Sequence, residues 1–289
     1  MIKFRSPLRY PGSKIKLIGY LKKVLDFNNF HPNILVEPFV GGGSVFLNFL
    51  LNNWVENVII GDKDSLINSF WKILFKDPQY LISFIHNVEI NIKNFYFYKK
   101  IMLNDLQYGE RKLAEACLFL NRTSFSGILV NNVGPIGGKK QNSKYKINCR
   151  FNKELLIKKI KKISSFSSKV TVLPNEWNYV VNYALENFKE EKLLFYFDPP
   201  FYNKASKLYK HYFNNIEFHL ELNRKLKNLE YSWILSYDRV PEIKEMYLPF
   251  IQKNLAFPYS INSPAKRIEK EYFITSKNLL KPTKDFLVK

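Results

Sequence analysis

The sequence predicts an α/β fold: a Rossmann-like, doubly wound sheet interrupted by a mostly helical insertion. Three observations predict it. Short apolar runs at residues 34–36, 57–60 and 193–197 each end in a turn built from Gly, Pro or an acid, as buried strands do where they leave a sheet. Helical periodicity follows at residues 14–25 and 44–52, in the strand-turn-helix manner of α/β chains. Between residues 63 and 168 strand-like runs give way to amphipathic stretches such as 65–75 and 111–120; strands resume at 170–173, 193–197, 233–236 and 272–275. These limits divide the chain into a sheet domain, residues 1–62 and 169–289, and an inserted helical domain, residues 63–168.

Near the amino terminus, Leu8-Arg9-Tyr10-Pro11-Gly12-Ser13-Lys14 places an aromatic ring, a turn and a lysine ahead of an amphipathic stretch. Residues 34–46 then read as a short buried strand (Ile-Leu-Val-Glu), a turn (Pro38, Phe39, Val40, Gly41, Gly42, Gly43) and a helix opening at Ser44. Glycines in such a turn permit unusual φ and let a ligand approach the backbone closely. The turn is neither a Walker loop nor the dinucleotide fingerprint, since the Gly-Lys-Ser/Thr and Gly-x-Gly-x-x-Gly spacings are both absent. The next strand ends at Asp62, where the acid after the second strand of a doubly wound sheet accepts hydrogen bonds from ribose hydroxyls.

Asp198-Pro199-Pro200-Phe201, directly after the apolar run 193–197, is the most informative segment. An exocyclic amine on a flat base is a poor nucleophile because its lone pair is delocalised into the ring. Two acceptors aimed at its N–H bonds free that lone pair. Asp198 supplies one and the carbonyl of Pro199 the other, on a segment whose φ angles the prolines restrict, and Phe201 offers a face for the base. The plainer reading is a strand end with a Pro-Pro turn and a solvated acid.

Taken together and in this order, these segments resemble the Dam-type (alpha-group) DNA adenine-N6 methyltransferases, and the resemblance covers most of the chain. It includes residues 118–127 (Leu-Phe-Leu-Asn-Arg-Thr-Ser-Phe-Ser-Gly), which look like the segment introducing that family's DNA-reading region. The resemblance implies a methyltransferase sheet that uses S-adenosylmethionine, with residues 63–168 as the target-recognition domain. It implies that Tyr10, Lys14, Asp62 and Asp198 contact the methyl donor, the target amine or both. It places Glu37, Pro38, Phe39, Gly41 and Gly43 around the donor's methionine part. The family usually has tyrosine where this chain has Phe201, so stacking survives while any role for a hydroxyl is lost.

Charge points the same way. Among 289 residues, 45 are basic and 25 acidic, a net charge of +20. Residues 139–169 hold eleven basic residues against one acid, Glu154, and so account for half of that excess. A concentrated basic stripe is the footprint of phosphate-backbone binding, here to double-stranded DNA. On residues 153–163 the apolar stripe is expected to be Leu155, Leu156, Ile160 and Ile163, with lysines outward. Arg9, Arg122 and Asn131 are candidates for reading base edges, while Lys139, Lys140, Lys144 and Lys146 suit phosphates. The plainer reading of Arg122 is a structural arginine paired inside the helical domain.

Cys117 and Cys149 form no Cys-x-x-Cys, so neither a disulfide framework nor a zinc site is expected. The four histidines lack metal-ligand spacing. No apolar run approaches a membrane span, and the first residues lack a signal-peptide core. The expectation is a cytoplasmic, metal-free, nucleoid-associated prokaryotic protein with no membrane partner, in a Dam-like or restriction-modification system whose endonuclease is a functional partner. Cytosine-N4 methylation is the nearest alternative, although its enzymes more often carry Ser in place of Asp198. Cytosine-C5 chemistry needs a Pro-Cys nucleophile, which is absent. A catalytically dead DNA-binding homologue is the remaining class. Tyr209 and Tyr212 are candidate lid residues.

Overall fold

A computed structural model describes residues 3–10, 12–174, 176–202, 216–259 and 267–280. Pro11, Tyr209, Tyr212 and His211 lie outside the described residues. Among the described residues, seven strands form one sheet in the order β3-β2-β1-β4-β5-β7-β6. They are β1 (Ile34–Glu37), β2 (Asn57–Ile60), β3 (Val170–Val172), β4 (Leu193–Phe197), β5 (Ser232–Asp238), β6 (Ile251–Tyr259) and β7 (Arg267–Thr275). Strands β1 to β5 pair in parallel, while β6 and β7 form an antiparallel hairpin on the β5 edge. The sequence pattern anticipated all of these except β6.

Alternation along the strands builds two cores, because successive side chains of a strand point to opposite faces. Leu35, Val58, Ile60, Leu194, Tyr196 and Ile234 enter one core; Ile34, Val36, Ile59, Leu193, Phe195, Phe197, Trp233 and Leu235 enter the other. The first core also takes in α1 (Ile18–Phe27), α2 (Ser44–Leu51) and the helices of the insertion: α3 (Ser65–Lys76), α4 (Pro78–Asn87), α5 (Ile92–Leu103), α6 (Glu110–Thr123) and α7 (Lys153–Ser164). The inserted helices therefore share one continuous apolar core with a face of the sheet. The second core is covered by α8 (Trp177–Asn187) and the later helix Ile216–Lys227.

Local chemistry sets the helix starts. Asp64 caps α3 by accepting from Leu66 N and Ile67 N at 2.8 and 3.3 Å. Asp77 precedes Pro78 at the first position of α4, and Asn152 caps α7 through Leu155 N at 2.8 Å. On α7 the buried stripe is Leu156, Ile157, Ile160 and Ile163, whereas Leu155 is exposed. The expected stripe was thus wrong by one residue: Leu155 lies in the first turn, on the flank facing solvent.

Because β1 pairs with β2 on one side and β4 on the other, chain connections diverge at the β1/β4 boundary. In open α/β sheets the crevice outside the carboxyl ends of such strands is where ligands bind. Here it brings together the segments after Glu37 and after Phe197, some 160 residues apart in the chain.

Candidate active site

The glycine turn is shaped by three aromatic rings. Gly41 (φ 44°) and Gly43 (φ 68°) are left-handed. A Cβ on Gly41 would lie 2.7 Å from the Tyr10 ring, and one on Gly43 2.4 Å from Phe46 and 2.6 Å from Trp71. Only glycine fits at either position. Trp71 on α3 donates its indole N–H to the carbonyl of Gly41 at 2.9 Å, so a helix of the insertion supports the turn from below.

Acids converge on this turn. Asp62 accepts from Gly41 N at 2.7 Å and Asp64 N at 2.9 Å. Burial, and then Asp64, push its carboxyl up to about 7 against those two N–H groups. Glu37, at the end of β1 and 3% exposed, accepts from Phe46 N in the first turn of α2 at 3.0 Å. Burial pushes it well above the usual carboxylate range; the Phe46 N–H opposes that, while Asp198 and Asp62 add to it.

Asp198 stands at the end of β4 with its side chain about a quarter exposed. Lys14 Nζ lies 3.1 Å from its Oδ1, and 3.1 and 3.0 Å from Oε1 and Oε2 of Glu271 on β7. Lys14 and Glu271 are both buried. Burial raises Asp198 to about 6; Lys14 pulls it down and Glu271 pushes it up. Burial also works against the Lys14 charge, but Asp198 and Glu271 outweigh it and hold the lysine well above its ordinary value. The Phe201 ring is 5% exposed, with Lys14 Nζ 5.8 Å from its centroid. Tyr202 N donates to Asp238 Oδ1 at 2.9 Å, tying the segment after the motif to the end of β5.

These groups enclose one cleft, open to solvent at its mouth. Tyr10, Lys14, Glu37, Phe39, Gly41, Asp62, Asp198 and Pro200 line it. Pro38, Gly43, Pro199 and Phe201 are buried and are not among its lining residues. Asp64 and the backbone around Gly12 and Ser13 complete it. Among the described residues no group of three His, Cys, Asp or Glu is arranged to hold a metal ion. No described helix is long and apolar enough to cross a membrane.

The predicted base-reading residues fall elsewhere and do not form one group. Asn121, in the middle of the 118–127 segment, is fully buried and clamps the backbone of Arg9 from both sides. Its Oδ1 accepts from Arg9 N, and its Nδ2 donates to Arg9 O, each at 2.6 Å. The Arg9 guanidinium donates to Ser124 O at 3.3 Å. Arg9 and Arg122 are half-buried beside Arg150, with Lys159 and Arg5 next to them, and none forms an ion pair among the described residues. Burial first, and then Arg9 and Arg150, lower Arg122 to about 10. Burial, followed by Arg122 and Arg5, lowers Lys159 to about 8. The reading of Arg122 as a paired structural arginine is corrected: its Nε is buried and has no hydrogen-bond partner among the described residues. Asn131, Lys139, Lys140, Lys144 and Lys146 are exposed on the following loop, where Lys146 Nζ contacts the carbonyl of Gln141.

Sequence reasoning missed Glu271 and the grouping of Arg5, Arg150 and Lys159 with Arg9. The one signal for Glu271 was an acid directly ahead of the apolar run 272–275. A glycine turn and carboxylates at the switch point of a mixed, mostly parallel sheet define a Rossmann-like methyltransferase fold. Within that class the chain belongs to the D12 class N6 adenine-specific DNA methyltransferase family, whose pattern matches residues 10–273.

Several named proteins are similar to it. A DNA N-6-adenine-methyltransferase of Escherichia phage P1 is 32% identical over 126 residues, 43% of this chain and 16% of that protein. The type II methyltransferase M.MjaIII of Methanocaldococcus jannaschii is 27% identical over 218 residues, 69% of this chain and 70% of that protein. A DNA adenine methylase of Haemophilus influenzae is 31% identical over 133 residues, 44% of this chain and 43% of that protein. The match thus spans less than half of the phage and Haemophilus proteins and about two thirds of the archaeal one.

Proposed function

We propose that the protein methylates N6 of adenine in double-stranded DNA, with S-adenosylmethionine as methyl donor. The observation that carries this reading is the Asp198 carboxylate, exposed into a cleft it shares with Asp62 and the glycine turn, in a chain of the D12 class family. The lining fits the donor: Glu37, Asp62 and Asp198 suit a cationic sulfonium, and the close backbone at Gly41 leaves room for no side chain. Tyr10, Phe39, Gly41, Glu37 and Asp62 hold the donor, with Pro38 and Gly43 shaping the turn. When bound, S-adenosylmethionine supplies an electrophilic methyl group.

The protein's own part is to present the amine. Residues 63–168 act as the target-recognition region, rooted on the sheet through α3. Atoms buried in a stacked duplex must be brought out to be methylated, so the target adenine is flipped from the helix. Its N–H bonds are accepted by Asp198 and the Pro199 carbonyl, and its ring stacks on Phe201, which base entry must first uncover. Asp198, raised to about 6, is an anion at neutral pH and hence a pure acceptor. Positioning, rather than a strong base, accounts for the acceleration, because the proton becomes acidic once N6 carries the methyl group. Arg9, Arg122 and Asn131 read or approach base edges; Lys139, Lys140, Lys144 and Lys146 meet phosphates.

The setting we infer is a cytoplasmic, nucleoid-associated enzyme of a Dam-like or restriction-modification system. The direct test combines the purified protein with labelled S-adenosylmethionine and duplex DNA, then digests the product to nucleosides. N6-methyldeoxyadenosine is expected. Label on cytosine N4, or none on DNA, would overturn the reading. Single-molecule sequencing of the host genome then reports the flanking bases.

A further inference from the structure

Lys14 has two acidic neighbours. Its Nζ donates to Oε1 of Glu271 at 3.1 Å and lies 3.0 Å from Oε2, while Oδ1 of Asp198 lies 3.1 Å away. The Asp198 side chain is a quarter exposed and lines the cleft. Glu271 reaches this point because β7 runs antiparallel to β5, with Glu271 opposite Asp238. The hairpin thereby delivers an acid to the same end of the sheet where the parallel strands deliver theirs. Directly across the ladder, Asp238 holds the segment after the Pro-Pro-Phe turn through Tyr202 N. Two facing acids therefore anchor the two pieces that flank Asp198: Lys14 on one side, Tyr202 on the other.

We propose that Glu271 is a positioning residue for this site: by holding Lys14, it keeps the lysine from closing fully on Asp198 and leaves that carboxylate able to accept an N–H of the target amine. This rests on the function proposed above. A lysine released from Glu271 would be free to bridge both Asp198 oxygens, as a mobile ammonium with three donors does. The acceptor needed by the substrate would then be occupied. Glu271 also sets the charge of the group. Two carboxylates and one ammonium carry one net negative charge when ionised, facing a cleft that takes a cation.

A plain counter-ion role for Glu271 predicts something different, and the two can be separated. The charged and titratable groups facing Asp198 among the described residues are Lys14 from the amino-terminal segment, Glu271 from β7, Tyr196 from β4 and Glu37 from β1. In Glu271→Gln the first of these becomes the partner of Asp198 alone. In single-turnover methylation at saturating donor and DNA, the variant should lose about 10- to 100-fold in rate, the scale of a small misplacement at a reacting centre. KM for both substrates should stay within about threefold, and the acid limb of the rate profile should move to lower pH.

Carbon-13 NMR of labelled aspartate in the ligand-free protein gives a readout independent of turnover. The Asp198 midpoint should fall in Glu271→Gln relative to the parent. Glu271→Asp keeps the charge and protects the fold, but it is one methylene short. It should lose rate with the pH midpoint unchanged. Wild-type rate and midpoint in Glu271→Gln, a rate loss there without a midpoint shift, or full activity in Glu271→Asp would each overturn the proposal. A parent protein that leaves adenine unmethylated would instead sink the functional reading, while the NMR titration still decides whether Glu271 governs Asp198 through Lys14.

Discussion

Two regions of this molecule handle buried charge in opposite ways. In the cleft, Glu37, Asp62 and Asp198 are acids raised by burial, with Lys14 between Asp198 and Glu271 as the one buried cation among the described residues. Beside the start of the polar loop, Arg9, Arg122 and Lys159 are cations lowered by burial and by one another, with no acid paired to them among the described residues. Each region carries a cost in the free protein that a ligand of opposite charge relieves. The contrast teaches that a chain of net charge +20 does not present one uniform field. It pairs an acidic cleft suited to a cationic donor with a basic cluster suited to phosphate, and Asn121 joins them. That side chain grips the Arg9 backbone five residues before Lys14 enters the cleft.

The largest expected effect falls on the acidic side. Asp198→Asn should lower methylation at least about 1,000-fold while leaving the melting temperature unchanged or higher, because an amide removes a buried charge but donates where the site must accept. Residual activity near the parent level would dismiss the acceptor role. The next effect belongs to the basic side. Arg122→Gln with Lys159→Gln should weaken duplex binding about 10- to 100-fold and reduce the slope of log affinity against log salt by about 0.9 per lost contact. Donor affinity should stay within twofold. An unchanged salt slope would mean that the cluster does not meet phosphate.

Asp62→Asn sharpens the comparison from within the cleft. Donor affinity should drop about tenfold, while the ligand-free protein melts no lower than the parent, because the carboxylate that burial disfavours is gone. A clear loss of stability would show that the Gly41 and Asp64 N–H contacts matter more than the burial cost.

The smallest effect is on ligand-free stability against pH, where the two regions should have opposite slopes. For Asp62 and Asp198 the folded values, about 7 and about 6, lie above the ordinary 3.8, so the folded state binds more protons and stability falls as pH rises between them. For Lys159 the folded value, about 8, lies below 10.5, so its penalty is full below pH 8 and fades as pH rises toward 10.5. Unfolding followed by denaturant titration should therefore show a shallow minimum near pH 7 to 8. Duplex DNA should remove the alkaline recovery and a bound donor the acid-side decline.

Much of this was legible along the chain. Apolar runs marked six of the seven strands, and Asp198-Pro199-Pro200-Phe201, the glycine turn and Asp62 announced the cleft. Strand ends and tight turns are local features, and their residue types follow from backbone geometry and burial at single positions. β6 escaped because its pairing partner, not its own pattern, makes it a strand. The α7 stripe was misassigned by one residue because a helical flank is decided by what packs against it, and Leu155 faces solvent there.

The sequence by itself determined which chemistry this protein carries: a carboxylate after a buried strand, a glycine turn that takes a close ligand, and a concentrated basic stretch. Only the tertiary structure decided which charges meet. Glu271 reaches Lys14 across 257 residues, and Lys159 joins Arg122 from another helix. The reason is physical. Electrostatic energy depends on distance and burial in the folded state, and neither quantity is a property of position along the chain.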